Sequence, residues 1–205
     1  YRVIERIFAI QPQRSGDFTI EGPVFDGTLV VERRSSFFGF NQDTKRVRQL
    51  AESIDITVKP MPQDYDGTWL PSELVQLTEE WQPQATNYKL GEPITRVITL
   101  TALGLSEEQL PEITLDYGQD IRTYPDQDET ATVSQEQNLI AQRINTTALV
   151  PSKTGELTIP EVKIPWFNTN TRTVEYATLP ARKINVVPGI QQQAMSTPAV
   201  TQHVT

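Results

Sequence analysis

The strongest constraint on the fold of this chain is that part of its sequence occurs twice. Ala9-Ile10-Gln11-Pro12-Gln13-Arg14-Ser15-Gly16-Asp17-Phe18-Thr19-Ile20 aligns with Ala148-Leu149-Val150-Pro151-Ser152-Lys153-Thr154-Gly155-Glu156-Leu157-Thr158-Ile159. Five of the twelve positions are identical and five more are conservative, where average composition would give roughly one identity. Each copy runs on to an alternating strand closed by proline, Ile56-Thr57-Val58-Lys59-Pro60 and Ile184-Asn185-Val186-Val187-Pro188. The two separations differ by 11 residues, which places an insertion at Ser35–Lys45 of the first copy. The motif reads as a hairpin. A strand ends at Pro12 or Pro151, Gly16 or Gly155 supplies a positive-φ position, and the return strand begins at Phe18 or Leu157. A duplicated β-domain accounts for all of this. The basic turn tips Arg14-Ser15 and Lys153-Thr154 read as solvated loops.

The rest of the chain has the same character. Ile94–Leu103, Ile54–Val58 and Lys183–Val187 alternate apolar and polar residues at the two-residue period of a half-buried strand. The run Leu157–Ile164 contains Pro160, which points to an edge strand or a bulge. Helical signals are confined to one-turn candidates at Ser106–Gln109, with Ser106 as N-cap, and at Pro71–Leu74. Short strands punctuated by Pro, Gly and Asn, without a βαβ rhythm, predict an all-β sandwich.

Four segments follow. Residues 1–60 are the C-terminal part of a first β-sandwich, because only eight residues precede its copy of the motif against about 75 in the second. Its first residues read as mid-strand, so the expectation is a domain that starts before residue 1 and is left with an unpaired strand edge here. Residues 61–73, rich in proline, are a stiff linker from which Trp69 and Leu70 tuck back against a domain. Residues 74–188 are a complete sandwich, and residues 189–205 are a polar disordered tail.

Composition narrows the chemistry. Absence of cysteine removes disulfides, thiol catalysis and thiolate metal sites. It fits a cytosolic or a cysteine-poor periplasmic protein equally. The single histidine, His203, lies in the polar tail, which removes His-based metal sites and most acid–base triads. A net charge of −8 argues against nucleic acid and anionic membrane surfaces. No apolar run reaches the ~18 residues of a membrane helix. Neither a phosphate-binding Gly-rich loop nor a Gly-x-Ser-x-Gly nucleophile elbow is present. No cofactor is expected.

The remaining candidates each face a plainer reading. Glu79/Glu80 and Glu107/Glu108 are adjacent carboxylates, and neighbours on a strand point to opposite faces, so they supply no two-carboxylate cleft. Asp126-Gln127-Asp128-Glu129 offers oxygen ligands but lacks the spacing and glycine of a calcium loop. Asn145-Thr146-Thr147 is formally a glycosylation sequon, set within a predicted strand. Trp81, Trp166 and Phe167 are candidates for stacking on a glycan, against the plainer role of sandwich core. Phe37, Phe38 and Phe40, inside the insertion, are the candidate protein-contact surface, against the alternative that they cap their own domain.

Several phrases carry a family resemblance: Trp69-Leu70-Pro71, Gly91-Glu92-Pro93-Ile94-Thr95-Arg96, Leu110-Pro111-Glu112-Ile113, Leu149-Val150-Pro151 through Thr158-Ile159-Pro160, and Ile164-Pro165-Trp166-Phe167. In their order and spacing, up to about Pro188, they resemble the BatD family of Bat (Bacteroides aerotolerance) oxygen-tolerance proteins. The resemblance implies tandem immunoglobulin-like domains at the periplasmic face of a bacterial inner membrane, held by an anchor outside this chain. It implies as partners the von Willebrand factor A-type and TPR-type Bat proteins and, indirectly, a MoxR-type ATPase. It carries no catalytic residues over. The expectation is a non-enzymatic protein-interaction scaffold, with a cell-wall or carbohydrate-binding module as the alternative and a hydrolase a distant third.

Overall fold

The computed structural model describes residues 5, 7–31, 43–135 and 138–189. The chain divides into two units, Tyr1–Gln63 and Asp64–Thr205. Both are β-structure, and the only helical element among the described residues is a 3-10 turn at Glu107–Gln109. There the Ser106 N–H donates to Gln109 Oε1 at 3.1 Å, closing the predicted N-terminal cap.

Among its described residues the first unit holds four strands, β1 (Gly16–Ile20), β2 (Val24–Val31), β3 (Asp43–Leu50) and β4 (Ile54–Val58). β1 pairs antiparallel with β4 and β2 with β3, giving two two-stranded ribbons.

The second unit is a sandwich, with eleven strands among its described residues: β5 (Pro71–Ser72), β6 (Val75–Gln82), β7 (Asn87–Lys89), β8 (Ile94–Leu103), β9 (Ile121–Pro125), β10 (Glu129–Gln135), β11 (Asn138–Pro151), β12 (Gly155–Ile159), β13 (Val162–Asn168), β14 (Thr173–Leu179) and β15 (Arg182–Val187). One layer is the sheet β10-β11-β8-β6, with β9 pairing β11 beyond the end of β10. Two smaller sheets, β12-β15-β7 and β14-β13-β5, provide the other layer. The core between them falls into two clusters. One joins Val75, Ile98, Leu100, Ala102 and Ala141 to Val162, Ile164, Trp166 and Leu179. The other joins Trp81, Ile94, Ile121 and Leu149 to Tyr88, Leu157, Ile159, Ile184 and Val186. Alternation explains the burial, since on β8 Ile94, Ile98, Leu100 and Ala102 all point to one face.

The sequence repeat is a repeat of fold. β1 pairs β4 with Gly16 opposite Val58, and β12 pairs β15 with Gly155 opposite Val186. The strands between them form antiparallel hairpins, β2–β3 and β13–β14. Gly16 and Gly155 both have positive φ, 122° and 105°, as the motif requires. The run containing Pro160 is two strands, because the chain leaves β12 at the proline and enters a different sheet as β13.

Further expectations change. The repeated motif is a crossover between sheets and not a hairpin: β11 ends at Pro151 in the large sheet while β12 pairs β15, and among the described residues no strand ends at Pro12. Pro71–Leu74 is extended, because buried Ser72 is held in β5 beside β13 and its hydroxyl donates to the Leu103 carbonyl at 2.6 Å. The segment read as a linker, 61–73, is part of the second unit from Asp64 onward. Tyr65 is buried there, its hydroxyl 2.9 Å from the Pro165 carbonyl, and Leu70 joins the core. Burial pushes the Tyr65 phenol above its ordinary pKa. The last residues of the expected insertion, Asp43–Lys45, open β3 and pair Val31–Leu29, and its residues 35–42 lie outside the described residues. Phe37, Phe38 and Phe40, the residues at 1–4 read as mid-strand, and the tail from 190 onward with His203 lie outside the described residues.

Candidate functional site

The inner face of the large sheet is not continuously apolar. On β8, Arg96 shares the face of Ile94 and Ile98; on β6, Glu79 shares that of Trp81; on β11, Arg143, Asn145 and Thr147 lie between Ala141 and Leu149. Strand register brings these positions together, with Trp81 and Thr147 flanking Arg96, and Glu79 and Asn145 flanking Ile98. A polar seam therefore crosses the sandwich between the two apolar clusters.

Arg96 anchors one end. Only 1% of its side chain is exposed, and it meets Glu79 through Nε at 2.9 Å and Nη2 at 2.8 Å. Nη1 donates to the Tyr117 hydroxyl at 3.3 Å, and the guanidinium lies 5.1 Å from the Trp81 ring centroid and 5.9 Å from that of Tyr117. Burying an ion pair is costly unless its hydrogen bonds are satisfied, and a planar fork between two rings meets that condition where a lysine would not. At the other end Arg143 Nη1 meets Asp128 at 2.8 Å and Nη2 donates to the Leu110 carbonyl at 3.2 Å. Asn145 Nδ2 donates to the second Asp128 oxygen at 2.8 Å, and Thr147 Oγ1 to Asn145 Oδ1 at 3.3 Å.

At this second end lies a cleft of about 470 Å³. Its floor is Arg143, Asn145 and Thr147 of β11, one wall runs from Glu112 to Tyr117, and the other is the end of β9 with the loop Asp126–Asp128. That loop is an irregular break in a single sheet edge. β9 pairs the C-terminal part of β11 and β10 the N-terminal part, and between them the chain turns Asp128 inward onto Arg143. β10 continues the edge, with all seven residues exposed, and it pairs only β11 among the described residues.

The surroundings carry one sign of charge. Residues 106–135 hold Glu107, Glu108, Glu112, Asp116, Asp120, Asp126, Asp128 and Glu129 against Arg122 alone, while the whole chain is at −8. Asp120 is met by Lys153 at 3.2 Å and Asp128 by Arg143; the other six have no ion-pair partner among the described residues. The cleft is an acidic pocket with a fixed cation in its floor.

The residues expected to act sit elsewhere. Trp81 and Trp166 are each 4% exposed and belong to the two core clusters, so neither offers a ring face to a sugar. Phe167 is half-buried and packs on Trp69 at 5.3 Å, which in turn meets Tyr65 edge-on at 4.9 Å. Trp81 and Trp166 are thus core residues of the sandwich, and Phe167 packs on Trp69 beside them. Asn145 is a buried strand residue bonded to Asp128. Asp126–Glu129 does not converge on a cation: Asp128 turns to Arg143 and Asp126 Oδ1 accepts the Gln127 N–H. Among the described residues no three His, Cys, Asp or Glu side chains gather as a metal site. The seam went unread, although Arg96 falls in phase with the inward residues of its own strand.

The family model described as BatD DUF11 like domain matches residues 81–187, just over half of the chain, and the match spans every residue lining the cleft. No curated protein and no solved structure matches the chain.

Proposed function

The chain belongs to the BatD family, and from that premise we propose that it is a non-enzymatic protein-interaction scaffold whose second unit binds partners by strand pairing at β10. The reading places it at the periplasmic face of a bacterial inner membrane, tethered by an anchor outside residues 1–205. Its partners are von Willebrand factor A-type and TPR-type Bat proteins, with a MoxR-type ATPase acting through them, in tolerance of oxygen stress. No helix among the described residues is long and apolar enough to cross a membrane.

The observation that carries the reading is the edge itself. Glu129-Thr130-Ala131-Thr132-Val133-Ser134-Gln135 is rich in strand formers and has neither the proline nor the lysine that blunts sheet edges. An edge of this kind accepts a further strand, main-chain hydrogen bonds giving affinity and alternate side chains giving selectivity. The test is calorimetric titration of the chain with a purified von Willebrand factor A-type Bat protein from the same organism. Val133 is 57% exposed, so Val133→Lys alters the edge and leaves the core intact. A loss of ~10-fold or more in affinity supports the reading; binding equal to that of the unaltered chain refutes it.

A further inference from the structure

We infer that the cleft and the adjoining β10 edge form one receptor for an extended basic segment of a partner protein, a Lys or Arg side chain of which enters the cleft between Glu112 and Asp126. The inference rests on the edge-pairing reading and adds to it the chemistry of the partner.

Geometry comes first. A segment added to β10 and running toward Glu129 reaches Asp126–Asp128, where the edge breaks and the cleft opens. A paired strand presents alternate side chains to one face about every 7 Å. One of them at the break is aimed into a space of about 470 Å³, which accommodates a long side chain. The apolar lining residues Ile113, Leu115 and Pro125 are suited to the stem of such a chain, and Thr114, Thr123 and Gln127 to its head.

Charge then selects the occupant. Glu112 and Asp126 are exposed on opposite walls and have no ion-pair partner among the described residues, while Arg143 in the floor is already bonded to Asp128 and Leu110. The field of the other acids in 106–135 repels anionic segments and speeds the arrival of cationic ones. A neutral sugar finds no open ring, because half-buried Tyr117 is engaged with Arg96. A free metal ion finds no converging ligand set among the described residues.

The experiment is fluorescence anisotropy of the whole chain with a labelled peptide of alternating Thr and Lys. Its controls are the same peptide with Glu for Lys and one with alternate backbone amides N-methylated. We expect saturable binding of the Lys peptide, weakening with salt, and none of the Glu peptide. The double variant Glu112→Gln/Asp126→Asn, whose altered side chains are solvent-exposed, should bind the Lys peptide ~10-fold more weakly with an unchanged melting curve. N-methylation should cost at least as much. Absence of binding, equal binding by the double variant, or equal binding of the N-methylated peptide overturns the inference. If Val133→Lys still weakens binding of the Bat partner while the Lys and Glu peptides behave alike, the edge reading stands and the basic occupant falls. If Val133→Lys leaves that partner's affinity unchanged, the edge reading falls, and this inference with it.

Discussion

Strands β1–β4 and β12–β15 are one four-strand cassette in two settings. The ladders share their register, and in each the first strand opens on a positive-φ glycine. Their surroundings differ. Leu157, Ile159, Ile184 and Val186 are buried against Trp81, Ile94, Ile121 and Leu149. Their counterparts Phe18, Ile20, Ile56 and Val58 are only half-buried, and Val24, Phe25 and Leu29 are exposed. Among the described residues, no core cluster includes a residue of the first unit. Local pattern and turn chemistry are thus enough to set the pairing of these strands, but a core needs a second layer. In the second unit β6, β8, β9 and β11 provide it. A two-stranded ribbon without such a layer is marginal in water, so amide exchange in β1 and β4 should be much faster than in β12 and β15.

The largest way to break this contrast is to damage the covering layer at its buried ion pair. Arg96→Met leaves Glu79 without its guanidinium, at a cost of about 3–5 kcal/mol. Urea unfolding of the second unit should shift accordingly, and exchange in β12–β15 should move toward that of β1–β4. Adding Glu79→Leu should recover most of the loss, because an apolar pair of similar volume avoids the desolvation cost. A single variant as stable as the wild type would show that the seam does not hold the layers together.

Next in size is the paired truncation of equivalent isoleucines. Ile159 has 0% exposure, and Ile159→Ala should cost about 2–5 kcal/mol through lost burial and a cavity. Half-buried Ile20 should cost about 1 kcal/mol at most when truncated. Native-state exchange on each variant measures both. Equal losses would mean that the first cassette has a cover of its own.

Much of this contrast can be read from the chain, because it depends on near neighbours. The period-two runs, the proline ends and the duplicated turn locate β1, β4, β8, β12 and β15. What could not be read depends on distant pairs. Arg96 falls in phase with the inward residues of β8, but its own strand does not show what satisfies it, Glu79 of β6 and the Tyr117 hydroxyl. Arg143 and Asn145 look like an ordinary polar stretch until the break in the edge turns Asp128 inward. The cleft is the gap beside these polar groups, and alternation within one strand carries no record of it. Trp81 and Trp166 show the converse, since composition marks them as sticky and only the layer opposite makes them core.

The glycines should behave alike in both settings. A Cβ on Gly16 or Gly155 meets nothing within 4 Å, so the cost of alanine is that of the positive φ alone. It should be about 1–2 kcal/mol in each cassette. Matching losses in the local exchange of β1–β4 and β12–β15 would show that the turn is specified independently of the core. A loss confined to β12–β15 would show that it is not.

The smallest effect lies on the outer faces of the two ladders. Lys183 Nζ meets Glu156 Oε1 at 2.8 Å across β12–β15. The equivalent places in β1–β4 hold Asp55 and Asp17, each accepting a threonine hydroxyl, from Thr19 at 2.6 Å and Thr57 at 2.7 Å. The hydrogen bond to Glu156, and then its charge, raise the Lys183 pKa. A raised lysine favours the folded state fully below its unfolded pKa, about 10.4, and loses that contribution as pH rises through the folded value. Lys183→Gln should therefore melt slightly below the wild type at pH 8, and the gap should close above the lysine range. High salt should narrow it at pH 8, because both side chains are exposed. A gap independent of pH and salt would mean that the lysine acts through its aliphatic stem. The two cassettes would then differ on their outer faces by packing, as they do on their inner faces, and not by charge.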